Sequence, residues 1–158
     1  MRKALLFAAF VCAAATALAE VGPPSDLPAQ AQGASRIVVG QISDVQSRFE
    51  TNRFGDQLIV STLVVEVLET LKGPEVPQIQ VDVEGGTVGE LTLKVSDLPA
   101  FERGERAVFF LEGEEPFQPH GRGRGLLKLT SDDRVEGNNA TLDDVRGEIR
   151  SALLQGGR

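Results

Sequence analysis

The single histidine, His120, is the first residue whose side chain is suited to acid–base chemistry. It lies in a stretch rich in glycine and arginine, Pro119 to Gly125. A catalytic histidine needs an activated nucleophile and an orienting partner. No cysteine remains after the N-terminal segment, and no serine stands on a recognisable strand–turn–helix elbow. We therefore interpret His120 as an exposed loop residue and assign no catalytic residue.

Two arginines follow the histidine and are separated by glycines. Glycines let backbone amides converge on an anion, and Arg122 and Arg124 would add positive charge to such a nest. The spacing matches no phosphate-loop template, so a glycine-rich mobile loop is the preferred interpretation. The segment Gly85 to Gly89 lacks the strand-to-helix setting of a nucleotide loop, and we read it as a hairpin turn. The sequence thus predicts no cofactor.

Acidic side chains are plentiful and raise the question of paired-carboxylate hydrolysis. Five of them lie near predicted strand ends: Glu84, Glu90, Glu112, Glu114 and Glu115. Acidic residues are seldom buried, so solvated surface positions are the simpler interpretation. The run from Ser131 to Asn139 has enough oxygen ligands to suggest calcium, but its spacing does not match the helix–loop–helix calcium pattern. We interpret it as a polar turn.

The composition excludes several function classes. The 158 residues include one Cys, one His and no Trp or Tyr, and the formal charge is -7. One histidine without cysteine cannot form the usual structural zinc site. An acidic chain is repelled by the negatively charged phosphate backbone. A chain without Trp or Tyr also lacks the aromatic side chains that stack best on bases, so nucleic acid is not expected as a partner.

The loop phenylalanines are the best candidates for contact with a protein partner. Four phenylalanines lie in or beside loops, whereas Phe109 and Phe110 belong to an apolar strand. Aromatic anchors often carry binding energy, but the same four side chains can equally fold over the ends of a barrel. Together with the loop histidine and arginines they give the candidate contact set: Phe49, Phe54, Phe101, Phe117, His120, Arg122 and Arg124.

The N-terminus has the pattern of a secretory signal peptide. Arg2 and Lys3 precede an apolar stretch over residues 4–17, and small residues at the cleavage positions place the cut after Ala19. Cleavage would remove Cys12 and two basic residues, so the formal charge would change from -7 to -9. No second apolar run follows, so the sequence predicts an exported protein, periplasmic or extracellular, without a membrane span.

The mature chain is expected to hold one mainly β domain. Residues 20–35 are rich in proline and small residues and predict a flexible leader, and residues 36–155 are assigned to a single domain. Short apolar or alternating segments predict strands at 37–49, 58–68, 79–83, 91–95, 107–111 and 126–129. The second of these segments is apolar on both faces, which favours a central strand.

The C-terminal segment has a helical period instead. Leu142, Val145, Ile149 and Leu153 recur at spacings of three and four residues and form one apolar face. Thr141 is a suitable N-cap for this helix. The sequence therefore predicts five to six strands that form a small closed or partly open OB-like β-barrel, followed by one amphipathic helix.

Several segments resemble the opening hairpin of netrin-like modules, which include the inhibitory domain of tissue inhibitors of metalloproteinases. They are the runs over 37–42 and 65–73, continued by Gly85 to Gly89 and by Phe101 to Leu111. A similar layout occurs in uncharacterised secreted bacterial proteins. The resemblance covers about residues 36–130 and implies a five-stranded OB-like barrel. In the inhibitors an N-terminal cysteine chelates the catalytic zinc, and no such cysteine exists here.

These observations favour a non-catalytic binding module. We expect a secreted or periplasmic module that recognises a protein partner through barrel-end loops, with an extracellular protease as one partner class. The alternatives are a hydrolase that uses acidic residues alone and a structural protein of the cell envelope.

Overall fold

A computed structural model describes residues 26–157 as a mainly β fold with a C-terminal helix. The helices are α1 (Leu27–Gly33) and α2 (Leu142–Gly156), with a 3-10 turn at Arg122–Gly125. The strands are β1 (Arg36–Thr51), β2 (Gln57–Lys72), β3 (Gln78–Glu84), β4 (Gly86–Val88), β5 (Leu91–Leu93), β6 (Arg106–Glu112), β7 (Gln118–Pro119) and β8 (Leu126–Leu129).

The long hairpin of β1 and β2 is the centre of the main sheet. The sheet order is β3-β2-β1-β6-β7. β8 pairs with β6 on the same edge as β7, but with residues nearer the start of β6. All these pairs are antiparallel. β-Branched residues are dense in β1 and β2, which suits a pleated and largely buried surface. The predicted central position of the second strand is confirmed.

The main sheet is not closed. Over residues 26–157 its two edges share a single β-bridge, between Val81 of β3 and Phe117, the residue before β7. There the amide of Phe117 donates to the Gln80 carbonyl at 2.8 Å, and the Asp82 amide donates to the Phe117 carbonyl at 2.9 Å. The mainly β class and the C-terminal helix are confirmed, whereas the OB-like barrel stays a prediction.

The predicted fourth strand does not join the main sheet. Its residues form β5, which pairs only with β4 in a separate two-stranded sheet. β4 lies in the segment that the sequence predicted to be a turn, Gly85 to Gly89, so that interpretation is wrong in part. The reason is a tertiary contact: the backbone of Gly86 rests on the hydroxyls of Ser47 and Ser61, and a Cβ there would overlap them.

Apolar side chains fill both faces of the sheet and make two cores. One core lies on the face of the sheet that β4 and β5 cover, which we call the concave face. It includes Ile42, Leu63 and Phe109, each almost fully buried. The other lies on the opposite face of β1, β6 and β8, where α1 and α2 pack side by side over Ile37 and Phe110. Removing apolar surface from water on both faces is the main driving force that holds these layers together.

Part of the predicted flexible leader is folded. α1 occupies residues 27–33 of that segment, and Leu27, Ala31 and Ala34 are buried in the core under α2. A seven-residue helix has little stability of its own, so its order comes from this tertiary packing, which the sequence pattern did not reveal. Residues 20–25 of the leader and the predicted signal peptide, residues 1–19, lie outside the described residues.

The C-terminal helix agrees with the sequence analysis. The Thr141 hydroxyl accepts a hydrogen bond from the Asp144 amide, and the Asp144 side chain accepts one from the Thr141 amide, which completes a capping box. Arg146 reaches from α2 to Glu69 of β2, with its Nε 2.8 Å from Oε2. Within residues 26–157 no helix has the length and apolarity needed to cross a membrane.

Candidate functional site

A cleft of about 660 Å³ lies between the concave face of the sheet and the β4–β5 hairpin. Strands β1, β2 and β3 form its floor, and the hairpin together with residues 94–102 forms its roof and wall. This volume falls within the range of small-ligand and peptide side-chain sites, roughly 300–1,000 Å³. The residues that line the cleft include Val45, Ser47, Ser61, Leu63, Thr87 and Phe101.

The floor of the cleft is apolar because side chains at the edge of the concave core form it. Val45, Leu63 and Val83 come from three neighbouring strands and point to the same face. Phe101 packs from the wall onto Phe109, with ring centroids 6.0 Å apart. The floor is mainly apolar, with Val45 and Phe101 partly exposed, so apolar groups bound there would lose contact with water.

A chain of hydroxyls crosses the floor. Ser61 is buried and donates to the Gly85 carbonyl at 2.6 Å, so Ser47 must donate to Ser61 across the 2.8 Å that separates their hydroxyl oxygens. This chain joins β1, β2 and the start of β4. On the roof, the hydroxyls of Thr87 and Thr92 face each other at 2.9 Å. The cleft thus combines an apolar floor with a few fixed polar groups.

The wall of the cleft is tied to the 3-10 turn by an ion pair. The Nε of Arg122 donates to Oδ2 of Asp97 at 2.8 Å, and its Nη2 lies 3.1 Å from Oε2 of Glu84. Hydrogen bonding to Arg122 lowers the pKa of Asp97 and raises that of Arg122. Gly123 lies so close to the Asp97 carbonyl that a Cβ there would overlap it.

A second, smaller cavity of about 210 Å³ lies nearby and shares Val83, Glu84 and Leu98 with the cleft. Beside it the Arg48 guanidinium joins Glu50 at 2.9 Å and Asp82 at 2.7 Å. The hydrogen bond to Asp82 is the main reason why the pKa of Arg48 is raised. The charges of these side chains are paired with one another, so we interpret this cluster as a structural link across β1, β2 and β3.

The structure divides the four loop phenylalanines into two pairs. Phe49 is 43% exposed and Phe54 is 75% exposed, and Phe54 has the Arg53 guanidinium 4.7 Å from its ring centroid. Phe101 and Phe117 instead pack against the concave core. Both alternatives from the sequence are therefore present, since two rings are available to a partner and two fold inward.

The loop histidine and the arginines do not meet in one place. His120 is only partly exposed, since its ring lies against Gly33 of α1 and its Nδ1 is 2.5 Å from Oε2 of Glu112. The expected exposed loop histidine is thus a packed contact between the β6–β8 segment and α1. Arg124 is exposed, with its Nη1 3.8 Å from Oδ2 of Asp26. Of this group only Arg122 touches the cleft wall.

The acidic residues are dispersed in the same way. Glu84 pairs with Arg122, and Glu112 pairs with His120. Glu115 accepts a hydrogen bond from the Gln80 amide, while Glu90 and Glu114 are exposed. Over residues 26–157 no three His, Cys, Asp or Glu side chains cluster closely enough to hold a metal ion.

Of the residues that line the cleft, sequence reasoning named Phe101 as a candidate contact and gave no binding role to the residues of the floor. Val45 and Ser47 were seen only as part of a strand, and Ser61 and Thr87 were given no role. The one available signal was a pair of serines at inward positions of two apolar strands, where apolar residues are expected. What brings them into a site is the fold of the β4–β5 hairpin over the sheet, and no local pattern encodes that contact.

No protein-family model matches the chain, and a search of curated proteins finds no match. The geometry of the cleft and the chemistry of the residues around it are therefore the basis for a functional assignment.

Proposed function

We propose that the chain is an exported, non-catalytic binding module that recognises a protein partner at the cleft end of its sheet. The observation that carries the proposal is the cleft itself: about 660 Å³, with an apolar floor and two hydrogen-bonded pairs of hydroxyls, Ser47–Ser61 and Thr87–Thr92. Concave apolar sites with a few oriented polar groups are the usual form of binding sites. The partner would place an apolar side chain between β1 and the wall.

The wall around the cleft supports a binding role. Arg122 has a left-handed backbone, with φ of 60°, which costs energy for a residue with a side chain. This conformation accompanies its ion pairs to Asp97 and Glu84, which hold the wall in place. A site fixed before binding loses less entropy when the partner arrives.

The predicted OB-like barrel belongs to the same proposal. The backbone hydrogen bonds between Phe117 and β3 support it, because they join the two edges of a strongly curved sheet. The resemblance to netrin-like modules suggests an extracellular protease as a partner class. Inhibition through an N-terminal cysteine does not transfer to this chain, whose single cysteine is Cys12 in the predicted signal peptide.

A hydrolase that uses acidic residues alone is the weaker candidate. The candidate glutamates Glu84 and Glu112 are held by different cationic partners. A general acid needs a raised pKa, whereas the carboxyl groups with a shifted pKa all have it lowered: Asp44, Asp97, Asp132 and Asp144. A structural role in the cell envelope has no particular feature of the described residues in its favour.

Affinity capture with a blocked cleft tests the proposal. Thr87 lines the cleft and is exposed, so Thr87→Trp would fill the entrance without disturbing the core. Ser151→Trp puts the same bulk on an exposed position of α2 and serves as the control. The full chain is produced with its export segment, and the bait is incubated with the periplasmic and secreted proteins of its own source cells.

The expected result is one recurrent protein that is retained by the wild type and by Ser151→Trp and is lost with Thr87→Trp. Equal retention by all three proteins would show that the cleft is not the binding site. A turnover of glycoside or peptide substrates that is abolished by Glu84→Gln would favour the hydrolase instead.

A further inference from the structure

Strand β1 has an unpaired edge over its second half. It pairs with β6 from Arg36 to Gln41, and the last contacts on this side are made by Ile42 with Gly104 and Glu105. From residue 43 to residue 51, β1 pairs with β2 alone, and no other part of the chain within residues 26–157 pairs with its outer edge. An edge of this length presents a row of free amide and carbonyl groups.

This free edge borders the cleft directly. Val45 and Ser47 belong to the unpaired stretch and line the cleft floor. Side chains alternate between the two faces of a strand, so a strand added beside β1 would have every second side chain on the same face as these two residues. Those side chains would lie next to the cleft, under the wall formed by residues 99–102.

The opposite face of the same edge is acidic. Asp44 and Glu50 lie on it, and Arg48 between them is already shared by Glu50 and Asp82. Hydrogen bonding from Gln46 lowers the pKa of Asp44, which keeps that carboxyl ionised. Arg103 also lies near enough to Asp44 to lower its pKa. The three carboxylates therefore exceed the two arginines by one negative charge, and basic side chains on an added strand would find opposite charges across from them.

We infer that the edge of β1 over residues 43–51 binds an extended segment of the protein partner by strand addition. The segment has apolar residues that face the cleft, alternating with basic residues that face Asp44 and Glu50. Main-chain hydrogen bonds to β1 supply affinity, and the side chains in the cleft supply selectivity. The inference rests on the proposed function and specifies how that partner is held.

The probe is an eight-residue peptide of alternating lysine and valine, acetylated and amidated at its ends and carrying a fluorescent label. One control peptide has the same composition with the lysines and valines in two blocks, and another alternates glutamate and valine. Binding to the full chain is measured by fluorescence anisotropy at low ionic strength. We expect the alternating basic peptide to bind at least tenfold more tightly than either control.

A charge-reversed protein tests the edge itself. The double variant Asp44→Lys/Glu50→Lys should bind the lysine–valine peptide at least tenfold more weakly and should prefer the glutamate–valine peptide. Glu66→Lys changes one exposed charge on β2 outside this edge and serves as the control. Amide hydrogen exchange should slow when peptide is bound at those alternate residues of 43–51 whose amides point away from β2, because the other amides of this stretch already pair with β2.

Failure of the strand-addition model can be told apart from failure of the proposed function. A partner could be captured by the wild type and lost with Thr87→Trp, yet leave amide exchange at residues 43–51 unchanged. That result would overturn strand addition and keep the binding role. Equal affinity for all three peptides would also overturn it. Self-association that protects the same amides without any peptide would assign the edge to a second copy of the chain.

Discussion

The Nε of Arg122 and the Oδ2 of Asp97 are 2.8 Å apart, and this ion pair ties the wall of the cleft to the 3-10 turn. The two residues are 25 positions apart in the chain. Both side chains are more than half exposed, so water screens the pair and its contribution to global stability is small. Its effect is local, because it fixes residues 94–102 beside the apolar floor.

Replacing Arg122 should change the titration of Asp97. The guanidinium holds the pKa of Asp97 below its ordinary value of about 3.9, so Arg122→Gln should return that pKa toward the ordinary value. The stabilisation from this pair is complete above the unfolded pKa and is lost as the pH falls through the lowered folded pKa. NMR titration of the Asp97 carboxyl carbon measures the shift, and an unchanged pKa would show that another group lowers it.

Gly123→Ala should destabilise the fold. The new Cβ would overlap the Asp97 carbonyl, and overpacking against backbone costs about 1–3 kcal/mol. Gly147 in α2 has open space around the corresponding position. Gly147→Ala should therefore raise the free energy of unfolding by about 0.5–1 kcal/mol through helix propensity. Urea unfolding compares the two, and the prediction is wrong if both substitutions have the same sign.

Leu27→Ala should cost about 2–3 kcal/mol of the free energy of unfolding. Leu27 is 1% exposed in the core between α1 and α2, and deletion of buried leucine atoms leaves a cavity. Leu154 is 73% exposed on α2, so Leu154→Ala should change stability by less than about 0.5 kcal/mol. Equal effects of the two substitutions on denaturant unfolding would mean that α1 contributes no stabilising side chain to the core.

Lys72→Met should loosen α1. The Lys72 ammonium of β2 donates to three carbonyls at or near the C-terminus of α1: Ala31 and Gln32 at 3.0 Å and Ala34 at 2.6 Å. A cation at a helix C-terminus is stabilising, and its loss should cost about 1–2 kcal/mol. Amide hydrogen exchange in residues 27–34 should become faster in Lys72→Met. Lys94→Met changes an exposed lysine just after β5 and should leave that exchange unchanged. Protection that persists in Lys72→Met would show that packing alone holds the helix.

The elements with a strong local pattern could be predicted from the sequence. The alternation in β1 and β2 and the helical period of Val145 and Ile149 each identify their element, because the apolar face is visible within one segment. Thr141 was recognised as a cap for the same reason. α1 and β4 were missed because their order depends on contacts with residues far along the chain, such as Lys72 for α1 and Ser61 for β4.

The candidate site shows the same limit. The sequence identified residues by their chemistry, and the structure put Arg122 on the cleft wall, Phe101 beside it and His120 against α1. Val45 and Ser47 line the cleft, and the only local signal was the polar type of Ser47 at an inward position of an apolar strand. A site made from several strands depends on which faces meet, and residue type alone does not encode that.

The sequence by itself determined that the chain is acidic, mainly β and ends in an amphipathic helix, because composition and hydrophobic period are local properties of the chain. Only the tertiary structure decided where the cleft lies and which strand edge is left unpaired. Both depend on the close approach of segments distant in sequence, such as Gly86 against Ser47 and Gly123 against Asp97. Steric fit between such segments is a property of the folded chain.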